Sequence, residues 1–278
     1  MVANRVRSHG VAVATIKYFF NIIFCGGKKI WKKYIGPILI LLVVLSFSGC
    51  AQKEVAPVQQ TPAESTTPVS TPMGKGHGNG MGQGAGMGMD LSYLRNYISS
   101  IEAGTLSDQE KEDILHMREE EKLARDVYLT LYEKWNHRSF YNIAQSEQTH
   151  MDAVKLLIEK YGLEDPAEGK DIGEFTNQKF QELYNQLVEE GSKSLVDAFK
   201  VGATIEELDI ADLKKCLNAT DKQDITIVYE NLMKGSRNHL RAFNWNLENL
   251  GATYEPQYIS VEEYNQIVNS EMETGMAQ

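Results

Sequence analysis

Residues 140–161, FYNIAQSEQTHMDAVKLLIEKY, decide the architecture. Apolar side chains recur at Ile143, Ala144, Met151, Val154, Leu157, Ile158 and Tyr161, the i, i+3, i+4 spacing of a helix with one buried face. Glu147 and His150 fall on that same face. A carboxylate in a helical core without a partner costs several kcal/mol, so such a residue is paired, protonated or bound to a cation. Glu-x-x-His at i, i+3 aims an oxygen and an imidazole nitrogen at one point between packed helices, and a metal ion at that point accounts for both. A short pattern of common residue types also arises by chance, so further ligands have to come from elsewhere in the chain.

Upstream, Ser107 followed by Glu110 forms a capping box and predicts a helix running to about Trp135. Its stripe of Ile114, Met117, Glu121, Ala124 and Tyr128 carries one embedded carboxylate, Glu121. Glu119 is expected to face solvent. Glu120 shares a second stripe with Leu123 and Val127 and stays a spare ligand candidate, whereas His116 and His137 read as surface or helix-end residues.

Downstream, residues 165–169 (DPAEG) break the helix, and residues 175–188 form another through Phe180, Leu183, Tyr184 and Leu187. In a four-helix bundle this long connection lets the chain cross over before the second helix pair. Ser192 or Ser194 starts the next helix, on which Phe199, Gly202, Glu206, Asp209 or Ile210, and Leu213 share a face. Glu206 is thus a third embedded carboxylate, with Glu207 and Asp209 as neighbours able to take its place. Gly202 and Ala203 point to close helix approach. After the break at 218–221, a last long helix is expected over about 221–250 with Gly251 at its C-cap. Val228, Leu232, Ser236, His239, Phe243 and Leu247 line it, so His239 is a second core histidine, while Glu230 lies off that face. Ser260 with Glu263 starts a short terminal helix.

Composition divides the chain into residues 1–50, a leader; 51–90, a tether; and 91–278, a helical body. The leader has seven Lys or Arg and no acid, which leaves 21 basic against 38 acidic residues, net −17, for the remainder. That balance argues against nucleic acid and concentrates cations. Lys28, Lys29, Lys32 and Lys33 precede an apolar run at 38–45 and then Ser46-Phe47-Ser48-Gly49-Cys50, a signal-peptide layout. Ser-Gly-Cys resembles a lipoprotein cleavage box, which implies lipid on Cys50; an uncleaved anchor is the other reading, and both put the body outside the cytoplasm at a membrane. The apolar stretch at 11–25 is consistent with an internal start near the lysines. The tether is Pro/Thr/Ser-rich and then Gly/Met-rich, a flexible and disordered spacer. Met73, His77, Met81, Met87 and Met89 offer soft ligands for Cu(I) but no fixed geometry. With Cys25, Cys50 and Cys216 as the only cysteines and no C-x-x-C, a zinc ribbon, a rubredoxin-like iron site and a disulfide scaffold are excluded.

Four helices therefore contribute Glu121, Glu147 with His150, Glu206, and His239. Three core carboxylates repel one another unless compensated, and two divalent cations compensate them; oxygen-rich ligation suits iron or manganese better than zinc. The segments REEEKLARDVY (118–128), SEQTH (146–150), VGATIEELDI (201–210) and GSRNHLRAF (235–243) resemble a domain-of-unknown-function branch of the ferritin-like superfamily found in archaea and bacteria. The resemblance spans about 91–267. It implies an all-α fold, a ferritin-like four-helix bundle whose long crossover carries an extra helix, with a carboxylate-bridged pair of iron ions held by Glu121, Glu147, His150, Glu206 and His239. One departure stands out: Ser236 occupies the place of a fourth-helix glutamate, and Glu207 or Asp209 is left to compensate. The expected activity is oxidation of Fe(II) by O2 or peroxide, with Tyr128 nearest to bound oxygen or as an electron donor. The competing expectation is a non-catalytic metal scavenger or helical scaffold with a degenerate site. A rubrerythrin-type peroxidase with its own rubredoxin is excluded by the cysteines, and a tethered body is an awkward subunit for a storage cage. Metal ions and a small oxidant are the expected partners, and oligomerisation is left open.

Overall fold

The computed structural model describes residues 89–277, and all regular structure among them is helical. The elements are α1 (Leu91–Ser100), α2 (Asp108–Trp135), α3 (Arg138–Tyr161), α4 (Gln178–Gly191), α5 (Leu195–Ala219), α6 (Gln223–Asn249) and α7 (Val261–Val268). The leader, Cys50 and residues 51–88 of the expected tether lie outside the described residues. Met89 and Asp90, read as the end of that tether, belong to the body: Met89 packs on the core, and the Asp90 carboxylate caps α1 by accepting the N–H groups of Ser92 and Tyr93.

Local chemistry sets the helix ends. Ser107 and Glu110 exchange hydrogen bonds in the expected capping box, and Asn136 closes α2 in a left-handed conformation, φ 50°. His137 caps α3 as a helix-end residue, its Nδ1 accepting from the Ser139 N–H. Helix α4 begins at Gln178 rather than 175. The N–H groups of Thr176 and Asn177, which a helix from 175 would place in its first turn, donate instead to the Glu119 carboxylate, and Asn177 becomes the cap. Glu119 is accordingly buried, not solvent-facing.

Two short connectors, Asn136–His137 and residues 220–222, turn α2–α3 and α5–α6 into antiparallel hairpins. The hairpins meet through α2 against α5 and α3 against α6. Residue numbers run oppositely across each seam: Arg118 reaches Met151 and Arg125 reaches Gln148 between α2 and α3, whereas Ser139 meets Asn246 and Ser146 meets His239 between α3 and α6. Across α2 and α5, Tyr128 meets Gly202 and His116 meets Asp212. Helices α3 and α5 therefore run in the same direction, and the connection between them has to travel the length of the bundle. It does so along α2, with Asp165 on Arg118, Tyr184 on Thr130, and the Gly191 carbonyl on Trp135 Nε1.

Buried apolar side chains form two clusters at opposite ends. One takes α2 up to Met117, α3 from Ala153, α5 from Leu213 and α6 up to Leu232. The other takes α2 from Leu123, α3 up to Ala144, α5 up to Ile210 and α6 from Leu240. Gly202 permits the close approach expected there, since a Cβ on it would stand 2.6 Å from the Phe243 ring. Between the clusters every long helix presents a polar residue to the interior: Glu121, Glu147 and His150, Glu206 and Asp209, Ser236 and His239. Among the described residues no helix is long and apolar enough to cross a membrane.

Candidate metal centre

Glu121, Glu147, His150, Glu206 and His239, from four different helices, converge in this belt. They form two trios that share Glu147. In the first, His150 Nδ1 lies 2.7 Å from Glu147 Oε2 and 3.2 Å from Glu121 Oε2. In the second, His239 Nδ1 lies 2.8 Å from Glu147 Oε1 and 3.3 Å from Glu206 Oε2. The two oxygens of one carboxylate thus serve two imidazoles, whose ring centroids are 5.5 Å apart.

Neighbouring groups hold these side chains from behind. His239 Nε2 is 2.9 Å from Ser146 Oγ, which leaves Nδ1 directed at the belt. Tyr128 donates its hydroxyl to Glu206 Oε1 at 2.5 Å, so the residue read as a catalytic candidate supports that carboxylate directly. Gly235 makes room for His150, because a Cβ at that position would overlap the imidazole. No pattern of apolar residues signals that need; it comes from the closeness of α6 to the α3 ring.

Two alternatives left open by the sequence are resolved by position. Glu207 is fully buried but faces away from the belt, where it accepts from the N–H groups of Gln257, Tyr258 and Ile259 and from the Tyr254 hydroxyl. It anchors the C-terminal tail and is not a spare ligand. Asp209 does face the belt. Its Oδ2 accepts from Ser236 Oγ, so the serine in the expected glutamate position is bonded to a carboxylate supplied by α5.

The electrostatics are unbalanced. Four buried carboxylates, Glu121, Glu147, Glu206 and Asp209, face two imidazoles, so with all four ionised even two protonated rings would leave negative charge in excess. Burial pushes the Glu121 carboxyl up to about 8, helped by Glu147 and opposed by His150. Burial and Glu147 raise Glu206 to about 7, and burial with Glu121 and Glu120 raises Asp209 well above its ordinary range. Burial would lift Glu147 too, but His239 and His150 outweigh it and hold this carboxyl well below the usual range. Burial disfavours a charged His150, yet Glu121 and Glu147 raise it to about 10; His239 is raised likewise by Glu147 and Glu206. Protons therefore occupy the belt when no cation does.

The donor set fits divalent metal ions on a further observation. Glu121 Oε1, Glu147 Oε1, Asp209 Oδ1 and His239 Nδ1 are buried without a hydrogen-bond partner. His239 Nδ1 and Glu147 Oε1 stand 2.8 Å apart as an ion pair, both atoms turned into the belt. Oxygen and imidazole donors without thiolate match iron or manganese.

A further grouping escaped the sequence reading. His116, expected at the surface or a helix end, is partly buried and forms a third trio with Glu120 and Asp212. The four-residue spacing of His116 and Glu120 places both on one face of α2, but nothing local reveals that Asp212 of α5 completes the group.

A family model described as an uncharacterized protein domain (DUF2202) matches residues 110–271, which includes every belt residue. The chain is 64% identical over 180 residues to uncharacterized protein MJ0754 of Methanocaldococcus jannaschii, covering 65% of this chain and 97% of that protein. A crystal structure of a hypothetical protein MJ0754 from Methanococcus jannaschii is similar with a TM-score of 0.61 and 63% identity, covering 62% of this chain and 99% of the other. The chain belongs to the DUF2202 family.

Proposed function

We propose that the helical body is a ferritin-like four-helix bundle that binds a pair of iron ions, with manganese as the alternative metal, and oxidises Fe(II) with O2 or peroxide. The single observation that carries this reading is Glu147, whose two oxygens face two different histidines in a belt with twice as many carboxylates as imidazoles. Glu121 and His150 would hold one ion, Glu206 and His239 the other, with Glu147 between them and Asp209 in reserve for the fourth-helix carboxylate that Ser236 replaces. When bound, two ferrous ions supply two electrons, the number that takes dioxygen to the peroxide level or peroxide to water.

The chain's own groups do the positioning. Tyr128 keeps its proton, because burial and the adjacent Glu206 push the phenol well above its ordinary range, so it remains a donor to Glu206 Oε1. Ser146 orients His239. The apolar clusters above and below keep water from the belt, which strengthens every charge interaction inside it. On the leader reading, lipid on Cys50 would tether this body outside the cytoplasm.

The test uses the full chain loaded anaerobically with Fe(II), counted by elemental analysis and then exposed to O2 or peroxide. Two ions per chain, oxidised with turnover that Glu147→Gln abolishes, is the expected result. Tight binding without turnover would favour a metal scavenger, a reading that the missing fourth-helix glutamate supports. No binding at all would remove the metal from the proposal and leave a helical scaffold.

A further inference from the structure

His116, Glu120 and Asp212 take no part in the belt. His116 Nε2 lies 3.2 Å from Glu120 Oε2 and 3.6 Å from Asp212 Oδ2, and the three donor atoms fall within 4.8 Å of one another. Glu120 is 3% exposed, and its Oε2 is aimed into the trio at His116 Nε2. Lys215 donates to the other oxygen of Asp212, Oδ1, at 2.9 Å. The lysine side chain is 50% exposed, so it neutralises the outer edge of Asp212 while Oδ2 stays turned toward His116. Phe180 of the crossover packs on the His116 ring, 5.1 Å between centroids.

The trio is also connected. Helix α5 carries Glu206, Asp209 and Asp212 at intervals of three, which places successive carboxylates about 4.5 Å apart along the axis on a slowly turning stripe. Asp209 is the middle rung. It is buried, and its Oδ1 has no hydrogen-bond partner.

We propose that His116, Glu120 and Asp212 form a third, mononuclear site for a divalent transition-metal ion, joined to the belt through Asp209. Two carboxylate oxygens and one imidazole nitrogen, with room left in the coordination shell, suit Fe(II), Mn(II), Co(II) or Zn(II). The site stands on its own residues; its role as the station from which the belt is loaded rests on the di-metal reading above. Without an ion, the trio is an ion-pair network of His116 with two acids, and the two descriptions differ in whether metal displaces it.

Crystals of the full chain soaked in Co(II) test the site by anomalous scattering. An ion bounded by His116, Glu120 and Asp212 is expected, lost in His116→Gln while belt ions remain, and retained in Glu147→Gln while belt ions are lost. Crystals of the parent chain with no ion at the trio would overturn the proposal, whatever the belt holds. An ion that survives His116→Gln unchanged would overturn it as well. An ion at the trio with none in the belt would uphold this site and sink the di-metal reading instead. For the loading role, His116→Gln is expected to slow filling of the belt by Fe(II) about tenfold without lowering the final amount. An unchanged filling rate would end that role.

Discussion

Two sets of buried charges coexist in this bundle, and they are treated oppositely. Glu207, Glu119 and Lys122 are as deeply buried as the belt residues. Glu207 accepts three backbone N–H groups and a tyrosine hydroxyl, Glu119 accepts two backbone N–H groups, and Lys122 donates to Asp126 and to the Asp171 carbonyl. Donors and acceptors there are matched by the chain itself. In the belt four carboxylates meet two imidazoles, and four of the polar atoms have no hydrogen-bond partner. Burial alone therefore does not mark a binding site. Burial with an unmatched donor set is what sets the belt apart, because the folded chain tolerates such groups only with protons or cations to neutralise them.

The sharpest way to break this contrast is to remove a matched charge. Glu207→Ala strands three backbone N–H groups of the tail and is expected to cost about 3 kcal/mol in denaturant unfolding, with metal stoichiometry unchanged. A loss of bound metal would erase the distinction between the two sets. Two glycines come next. Gly235→Ala and Gly202→Ala each force a side chain to move, at a cost of about 1–3 kcal/mol. Only Gly235→Ala displaces His150, so elemental analysis should show lost metal in that variant and not in Gly202→Ala.

Smaller effects refine the belt. Ser146→Ala frees the His239 ring and should weaken metal binding about tenfold, read by competition with a chelator, while the melting temperature of the metal-free chain barely changes. Acidity gives the last measurement. Glu121 and Glu206 have folded pKa values of about 8 and about 7, above the ordinary 4.5, and His150 about 10, above 6.5. Each group holds a proton more tightly folded than unfolded. Its contribution is complete below the ordinary value and lost as pH rises through the folded one. The metal-free chain should therefore lose stability between about pH 4.5 and 10, falling about 2–4 °C for each kcal/mol, and metal should flatten that slope. Stability that rises with alkalinity in the metal-free chain would contradict the charge assignment.

Much of this was legible without coordinates. The faces of α2, α3, α5 and α6 follow from apolar spacing, and the predicted stripes are buried except for Tyr161, which is half-buried at the end of α3; Ser236 and His239 lie on the α6 stripe. Caps at Ser107 and Ser260 were readable because they use side chains within three residues, whereas between Ser192 and Ser194 only the structure selects Ser194 as the cap and puts Ser192 at the end of α4. The overturned exposure of Glu119 and the open role of Glu207 share a cause. Glu119 meets backbone N–H groups 57 and 58 residues away, and Glu207 meets N–H groups 50 to 52 residues away. No periodicity within a helix announces which distant segment will cover its other faces.

By itself, the sequence determined that four long amphipathic helices would each turn acidic or imidazole groups inward, since that follows from a 3.6-residue repeat acting over neighbouring positions. Tertiary structure decided which of those groups share a point in space. It paired Glu147 with two histidines, gave Glu207 to the tail, drew Asp209 to Ser236 and joined Asp212 to His116 and Glu120. The reason is geometric: helical spacing settles the direction of a side chain about its own axis, whereas its partners depend on how neighbouring helices are set in register, and that emerges only when all of them pack together.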